Sequence, residues 1–138
     1  ITGGKKMGGE LSEGAFLEPT LIAATNEVRI AQEEIFGPVA TVIKFKTEAE
    51  VIALANDSEY GLAGAVWTTN INRALRVAKA VKTGRMWVNC FNRLPAGAPF
   101  GGYKSSGIGR ENHKMMLAAY TQVKNIYISM REEREGMY

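Results

Sequence analysis

Between residues 39 and 89 the hydrophobic pattern switches repeatedly between strand and helix periods, and that switching restricts the fold more than any other feature. The run 39–45 follows Gly37-Pro38, is apolar and rich in β-branched residues, and is expected to be a buried strand. Thr47 with Glu50 three residues later has the capping-box arrangement, in which side chains satisfy backbone N–H groups left free by the first helical turn. Val51, Ile52, Leu54 and Ala55 supply the apolar stripe of a helix running to about Asn56. Asn56-Asp57-Ser58 reads as a turn and 62–68 as a second strand. Ile71, Ala74, Leu75, Ala78 and Val81 then recur at helical spacing, Gly84 is placed to close that helix, and 85–89 forms another short apolar strand. Such alternation makes the fold class α/β: a mostly parallel sheet, here of about three strands, covered by helices and joined by crossovers.

Outside this stretch the signals are more local. The segment 16–23 reads as a short strand, although Pro19 lacks the N–H that a central strand donates. Ile1-Thr2-Gly3-Gly4 reads as the end of a strand entering a glycine turn, so further sequence is expected before Ile1. From 90 to 110, Pro95, Gly97, Pro99, Gly101, Gly102, Gly107 and Gly109 rule out a long regular element and leave a long loop, of the kind that usually carries function. Helical spacing resumes over 113–120, 121–130 reads as an exposed strand, and Arg131-Glu132-Glu133-Arg134 opens a charged tail expected to be mobile.

Composition excludes several classes. With 46% hydrophobic and 22% charged residues, the 138-residue chain falls in the range of ordinary globular units. No apolar run approaches the ~18 residues that span a bilayer, and the N-terminus has no signal-peptide pattern, so a soluble protein with no membrane partner is expected. Cys90 is the single cysteine and His113 the single histidine, too few soft ligands for a metal cage, and the lone thiol fits a reducing cytoplasm. The net charge is only +3, and Arg73, Arg76, Lys79 and Lys82, spaced by three opposite Leu75 and Ala78, read as a solvated helix face. That is a weak footprint for a nucleic acid.

Few motifs carry chemistry by themselves. A phosphate-binding P-loop needs Lys directly after its second glycine, and Gly102 is followed by Tyr103; Gly107-Ile108-Gly109 starts like a dinucleotide fingerprint but has Asn112 at the third glycine position. These glycines are read instead as permitting turns and close backbone packing. Cys90 lacks the neighbouring base or cation that would activate a thiol, and reads as a small core residue rather than a nucleophile. Asn56-Asp57-Ser58 matches a glycosylation sequon but is better read as a turn. Glu33-Glu34-Ile35-Phe36-Gly37-Pro38 is different: a carboxylate at a sheet edge can accept two hydrogen bonds from a ribose diol, and a phenylalanine can stack on a flat ring. Taken alone, the segment still reads as a solvated acid pair beside a core phenylalanine.

Resemblance shifts that balance. Glu33-Glu34-Ile35-Phe36-Gly37-Pro38 resembles the aldehyde dehydrogenase signature whose second Glu binds the nicotinamide ribose and whose Phe lies against the nicotinamide. Tyr60-Gly61-Leu62-Ala63, Trp87-Val88-Asn89-Cys90 and Pro99-Phe100-Gly101-Gly102-Tyr103-Lys104-Ser105-Ser106-Gly107-Ile108-Gly109-Arg110-Glu111 are also similar to family segments, in the family's order. The resemblance covers about residues 1–130. It implies that Glu34, Phe36 and Leu62 contact the cofactor, that Leu94 and Phe100 line the aldehyde tunnel, and that Cys90 is not the nucleophile. The family's nucleophilic Cys, general-base Glu, oxyanion-stabilising Asn and Rossmann domain would precede Ile1, leaving no catalytic residue in this segment.

The architecture so implied is the C-terminal part of the aldehyde dehydrogenase catalytic domain over 1–119, an oligomerisation strand over 120–130 and a charged tail over 131–138. In the family that strand joins a bridging sheet packed against another subunit, which implies a homo-oligomer, dimer or tetramer. The activity implied is oxidation of an aldehyde to a carboxylic acid with NAD or NADP, through a cysteine thiohemiacetal and a thioester. The 92–104 run with His113-Lys114-Met115-Met116-Leu117 is most similar to members acting on acetaldehyde and other short aliphatic aldehydes. Phe100 in place of Trp disfavours a quaternary ammonium aldehyde of betaine type, for which Trp is the better partner. The choice between NAD and NADP rests with residues near the adenosine ribose, outside this segment. The alternative is a stand-alone, noncatalytic association domain that uses its C-terminal strand for contact and its glycine loop as scaffold.

Overall fold

The structure is a computed structural model that describes residues 1–133 and 136. Its strands are β1 (Thr20–Ala23), β2 (Val39–Val42), β3 (Tyr60–Gly61), β4 (Ala63–Val66), β5 (Arg85–Val88) and β6 (Tyr103–Lys104). The helices are α1 (Arg29–Gln32), α2 (Glu48–Asn56), α3 (Ile71–Ala80) and α4 (Met115–Ala119). The strands pair two by two. β1 runs parallel to β2 with Thr20 opposite Val39, and β4 runs parallel to β5 with Ala63 opposite Arg85. β3 and β6 are antiparallel, Tyr60 facing Lys104. The expected α/β alternation with parallel pairing is therefore present, as separate pairs among the described residues.

Local chemistry explains the helices. Thr47 Oγ1 accepts a hydrogen bond from the Glu50 amide at 3.1 Å, as the capping-box spacing predicts, a contact worth about 1 kcal/mol. The Glu50 carboxylate accepts from the Lys46 amide at 2.7 Å, so it closes the box one residue before the cap. Asn70 caps α3 in the same way, its Oδ1 accepting from the Arg73 amide at 3.0 Å. That helix ends at Ala80 because Val81 is already extended (φ −76°, ψ 123°). Gly84 thus does not close the helix as expected. A Cβ on Gly84 would collide with the carbonyl of Gly101, so its role is to let the glycine-rich loop pass against the start of β5.

The hydrophobic centre is the β4–α3–β5 unit, where Ala74, Val77 and Trp87 are buried. The buried face of α3 is turned away from one member of the expected stripe, since Leu75 is 50% exposed while Ala74 and Val77 face the strands. The basic face is solvated as expected, Arg73, Arg76, Lys79 and Lys82 all being exposed, but two of its members also pair across helices. Arg76 reaches Glu48 of α2 through Nε at 2.8 Å and Nη2 at 2.9 Å, and Arg73 Nε adds a contact at 3.2 Å. Hydrogen bonding from Arg76 holds the Glu48 carboxyl below its ordinary value, and the same contact raises Arg76.

Other expectations shift with partner availability. The 39–45 run is a strand only to Val42 and alternates half-buried and exposed residues, because one face of the β1–β2 pair is uncovered within the described residues. The 16–23 run is a strand only from Thr20, directly after Pro19, with Leu17 making an isolated bridge to Lys6. The 62–68 strand shortens to β4, with β3 a separate two-residue strand just before it, and the 113–120 helix contracts to α4. No strand forms over 121–130 among the described residues, where Val123, Ile126, Tyr127, Ile128 and Met130 are all exposed. A strand needs a neighbour for its backbone groups, and none lies beside this segment in the described residues. Of the charged tail, Arg134, Glu135, Met137 and Tyr138 lie outside the described residues. The exposed area is 11507 Å² where a compact monomer of this mass exposes about 7,100 Å², so the chain is far less compact than an ordinary monomer of its size.

Candidate functional site

The polar turn after α2 organises a polar surface shared by α1, α2, α3 and β6. Asn26, buried before α1, donates from Nδ2 to the Asp57 carboxylate at 2.9 Å and to the Asp57 carbonyl at 3.1 Å. Gln32 Nε2 donates to the Asn26 carbonyl at 2.7 Å and to the Asp57 carbonyl at 3.0 Å. These bonds tie both ends of the short α1 to the end of α2, and so fix where the chain leaves toward Glu33 and Glu34. Asn56 Nδ2 donates to the Ala80 carbonyl at 2.9 Å and its Oδ1 accepts from the Lys82 amide at 2.7 Å. The amide that a sequon would offer to a glycan is thus engaged in holding α2 to the end of α3. Lys104 Nζ donates to the carbonyls of Asn56 and Ser58, both at 2.8 Å, and adds β6 to the same hub.

Above the hub lies a cleft of about 560 Å³ whose walls include Glu33, Glu34, Ser58, Tyr60, Gly61, Leu62, Thr83, Ser105 and Ser106. Its floor is close-packed backbone. The Gly61 carbonyl accepts from the Gly84 amide at 3.1 Å, and the Gly61 amide donates to Ser106 Oγ at 2.9 Å. A Cβ on Gly61 would press on the Lys82 carbonyl at 2.5 Å, so only glycine admits this approach.

The acid pair divides. Glu33 accepts from Arg29 Nε at 2.7 Å across one helical turn, an exposed ion pair worth a few tenths of a kcal/mol that still occupies the carboxylate. The Glu34 carboxylate has no side-chain partner among the described residues and stands on the cleft wall with both oxygens available. A second hollow of about 360 Å³ adjoins it and is lined by Leu62, Phe100, Gly102, Arg110 and Tyr120. Leu62 borders both hollows, with Glu34 lining the first and Phe100 the second. Phe36 and Leu94 line neither hollow; Phe36 is 91% exposed beyond the turn at Gly37, and Leu94 is 46% exposed on the long loop. Cys90 is half-buried and free.

Sequence reasoning missed Ser58, Tyr60, Thr83, Ser105 and Ser106 as cleft residues. Tyr60, Ser105 and Ser106 sit inside segments already singled out, and a serine beside a glycine run is a signal that could have been pursued. Among the described residues no group of three or more His, Cys, Asp or Glu is arranged to hold a metal, and no helix is long and apolar enough to cross a membrane.

The aldehyde dehydrogenase family model matches residues 1–126. The chain belongs to the aldehyde dehydrogenase family. It is 53% identical over 134 residues to an acetaldehyde dehydrogenase of Pseudomonas aeruginosa, a match spanning 97% of this chain and 26% of that protein. Among solved structures, the apo form of a betaine aldehyde dehydrogenase point mutant from Staphylococcus aureus aligns over 99% of this chain and 28% of its own, at 46% identity and a TM-score of 0.89. The same Staphylococcus aureus enzyme in complex with NAD+ aligns over 86% of this chain at 51% identity, with a TM-score of 0.81. The chain thus spans about a quarter of the length of these aldehyde dehydrogenases. Glu34, Leu62 and Phe100 all fall within the part that matches the family.

Proposed function

We propose that this chain supplies the nicotinamide-side and aldehyde-side contacts of an NAD(P)-dependent aldehyde dehydrogenase that oxidises short aliphatic aldehydes to carboxylic acids. The observation that carries the reading is the division of the acid pair: Glu33 is occupied by Arg29, whereas Glu34 presents a free carboxylate on the cleft wall beside Leu62. A free carboxylate fits a ribose diol, accepting two hydrogen bonds that a protein partner would otherwise take. The nicotinamide cofactor, when bound, accepts the hydride removed from the substrate carbon. Glu34 would hold its ribose, Phe36 would cover one face of its ring, and Leu62 would close the apolar passage toward Phe100. Positioning of this kind works by fixing the reacting groups before the reaction rather than by taking part in it. The nucleophile and general base are assigned to other parts of the enzyme, and Cys90 to packing. A soluble, cytoplasmic homo-oligomer, dimer or tetramer, completes the proposal, with segment 120–130 as the subunit contact and with no nucleic acid, metal or membrane partner.

A short aliphatic substrate is supported by the 53% identity to an acetaldehyde dehydrogenase and by Phe100 at the second hollow. The second reading, a betaine aldehyde, is favoured by the betaine aldehyde dehydrogenases among the similar structures. Steady-state kinetics of the full-length enzyme separates them. Acetaldehyde should exceed betaine aldehyde in kcat/KM by about tenfold, the scale of a cation–π contact made well or poorly. A preference for betaine aldehyde would overturn the substrate assignment. In the same enzyme Glu34→Gln should slow single-turnover hydride transfer about ten- to a hundredfold, from loss of charge-assisted hydrogen bonds worth about 1.5–3 kcal/mol. An unchanged hydride step would remove Glu34 from the cofactor site.

A further inference from the structure

We infer that Arg85 is a positioning residue for aldehyde selection: its guanidinium holds the 93–100 loop and the Phe100 ring in one arrangement, and so sets which aldehydes fit. The inference rests on the proposed role of Phe100 as an aldehyde-side residue. Arg85 opens β5 directly after Gly84, at the point where the glycine-rich loop crosses the strand. Its Nη1 donates to the Arg93 carbonyl at 2.9 Å, and its Nη2 donates to the Pro99 carbonyl at 2.9 Å and the Ala98 carbonyl at 3.3 Å. One side chain therefore joins both ends of a loop that Pro95, Gly97 and Pro99 keep from forming regular structure.

The rings add a second constraint. The Arg85 guanidinium carbon lies 5.5 Å from the Phe100 ring centroid and 5.8 Å from that of Trp87, so one cation meets two aromatic residues. Trp87 stands two residues along β5, on the same face of the strand, and its Nε1 donates to the same Arg93 carbonyl at 2.9 Å. The Phe100 backbone is pinned from the other side, its amide donating to the Glu111 carbonyl at 2.9 Å. Among the described residues no carboxylate pairs with Arg85, so its donors serve loop carbonyls and its charge serves the rings. A lysine carries one compact ammonium and lacks the planar fork that spans separate carbonyls while stacking on a ring.

The test uses the full-length enzyme and compares Arg85→Met, Arg85→Lys, Phe100→Ala and the Arg85→Met/Phe100→Ala double variant. KM and kcat are measured for acetaldehyde, butanal and hexanal, with KM for NAD measured alongside. Arg85→Met should raise the acetaldehyde KM about tenfold, change kcat less than KM, leave KM for NAD unchanged and flatten the chain-length preference. Arg85→Lys should move in the same direction by less. In the double variant, loss of Arg85 should add little to loss of the Phe100 ring, because both act through that ring. A wild-type chain-length profile in Arg85→Met, or a uniform fall in kcat with KM values for aldehyde and NAD rising together, would overturn the inference. If Arg85→Met fails to fold, a wild-type aldehyde profile in Arg85→Lys overturns it equally, and a flattened one supports it. A Phe100→Ala variant with an unchanged aldehyde profile would remove the reading beneath it, whereas a changed Phe100→Ala with an unchanged Arg85→Met would sink Arg85 alone.

Discussion

The β4–α3–β5 unit and segment 121–130 carry comparable apolar sequence, yet the first buries its centre and the second leaves Val123, Ile126, Tyr127, Ile128 and Met130 exposed. The difference lies in what each has within reach. Ala74 and Val77 recur on one face of α3, and the strands that cover them are its own immediate neighbours in sequence. The 121–130 segment follows the last helix with no strand beside it among the described residues, so its apolar groups and backbone polar groups stay uncovered together. Apolar composition announces that burial is needed, while the location of the partner decides whether the same chain can provide it.

Breaking the packed side of this comparison should have the largest effect. Trp87→Ala removes the largest side chain in the centre, a ring against Phe91 at 5.1 Å and the Nε1 bond to the loop, and should destabilise the protein by about 3–5 kcal/mol in urea unfolding. A loss under about 1 kcal/mol would show that the unit is not the stabilising centre. On the exposed side, Ile126→Lys with Ile128→Lys should cost the fold less than about 0.5 kcal/mol, because neither side chain is buried here. In the full-length enzyme the same pair of changes should shift the assembly toward monomer. Wild-type mass in analytical ultracentrifugation would show that the segment does not govern association.

The smallest effect tests the link between α2 and α3. Because Glu48 titrates below its ordinary value in the folded protein, its pairing with Arg76 and Arg73 contributes stability fully above the unfolded carboxyl value. That contribution is lost as pH falls through the lower folded value. Glu48→Gln should therefore narrow the stability difference between neutral and acid pH, read as the shift in urea midpoint between pH 7 and about pH 3. An identical shift in wild type and variant would show the contact to be neutral.

Legibility in the sequence followed the range of the interactions. The Thr47 cap, the α2 boundaries and the parallel pairing around α3 depend on neighbours within one helix or one crossover, and the spacing of residues exposes them directly. The four-residue α1 escaped notice because its definition comes from Asn26 and Gln32 bonding to Asp57, far along the chain. The glycine-rich loop was correctly read as lacking a long element, but β6 inside it arises from pairing with Tyr60 and Gly61, which no local pattern reveals. At the site, Glu34, Leu62 and Phe100 came from family resemblance, whereas the difference between Glu33 and Glu34 became visible only once Arg29 was seen to take one of them. Arg85 carried no sequence signal because its partners are main-chain carbonyls.

The β3–β6 pair has a consequence for how the molecule acquires its shape. The β4–α3–β5 unit closes through contacts between near neighbours, which form quickly because little loop entropy is lost. Tyr60 can meet Lys104 only after the whole intervening chain, including that unit, has been laid down and turned back. The cleft floor is thus expected to assemble late and to open early. Amide exchange at Gly61, which rests on Ser106, should be faster than at Ala74 inside α3, so the cleft proposed for the cofactor would be the first surface to loosen on warming while the packed centre stays intact.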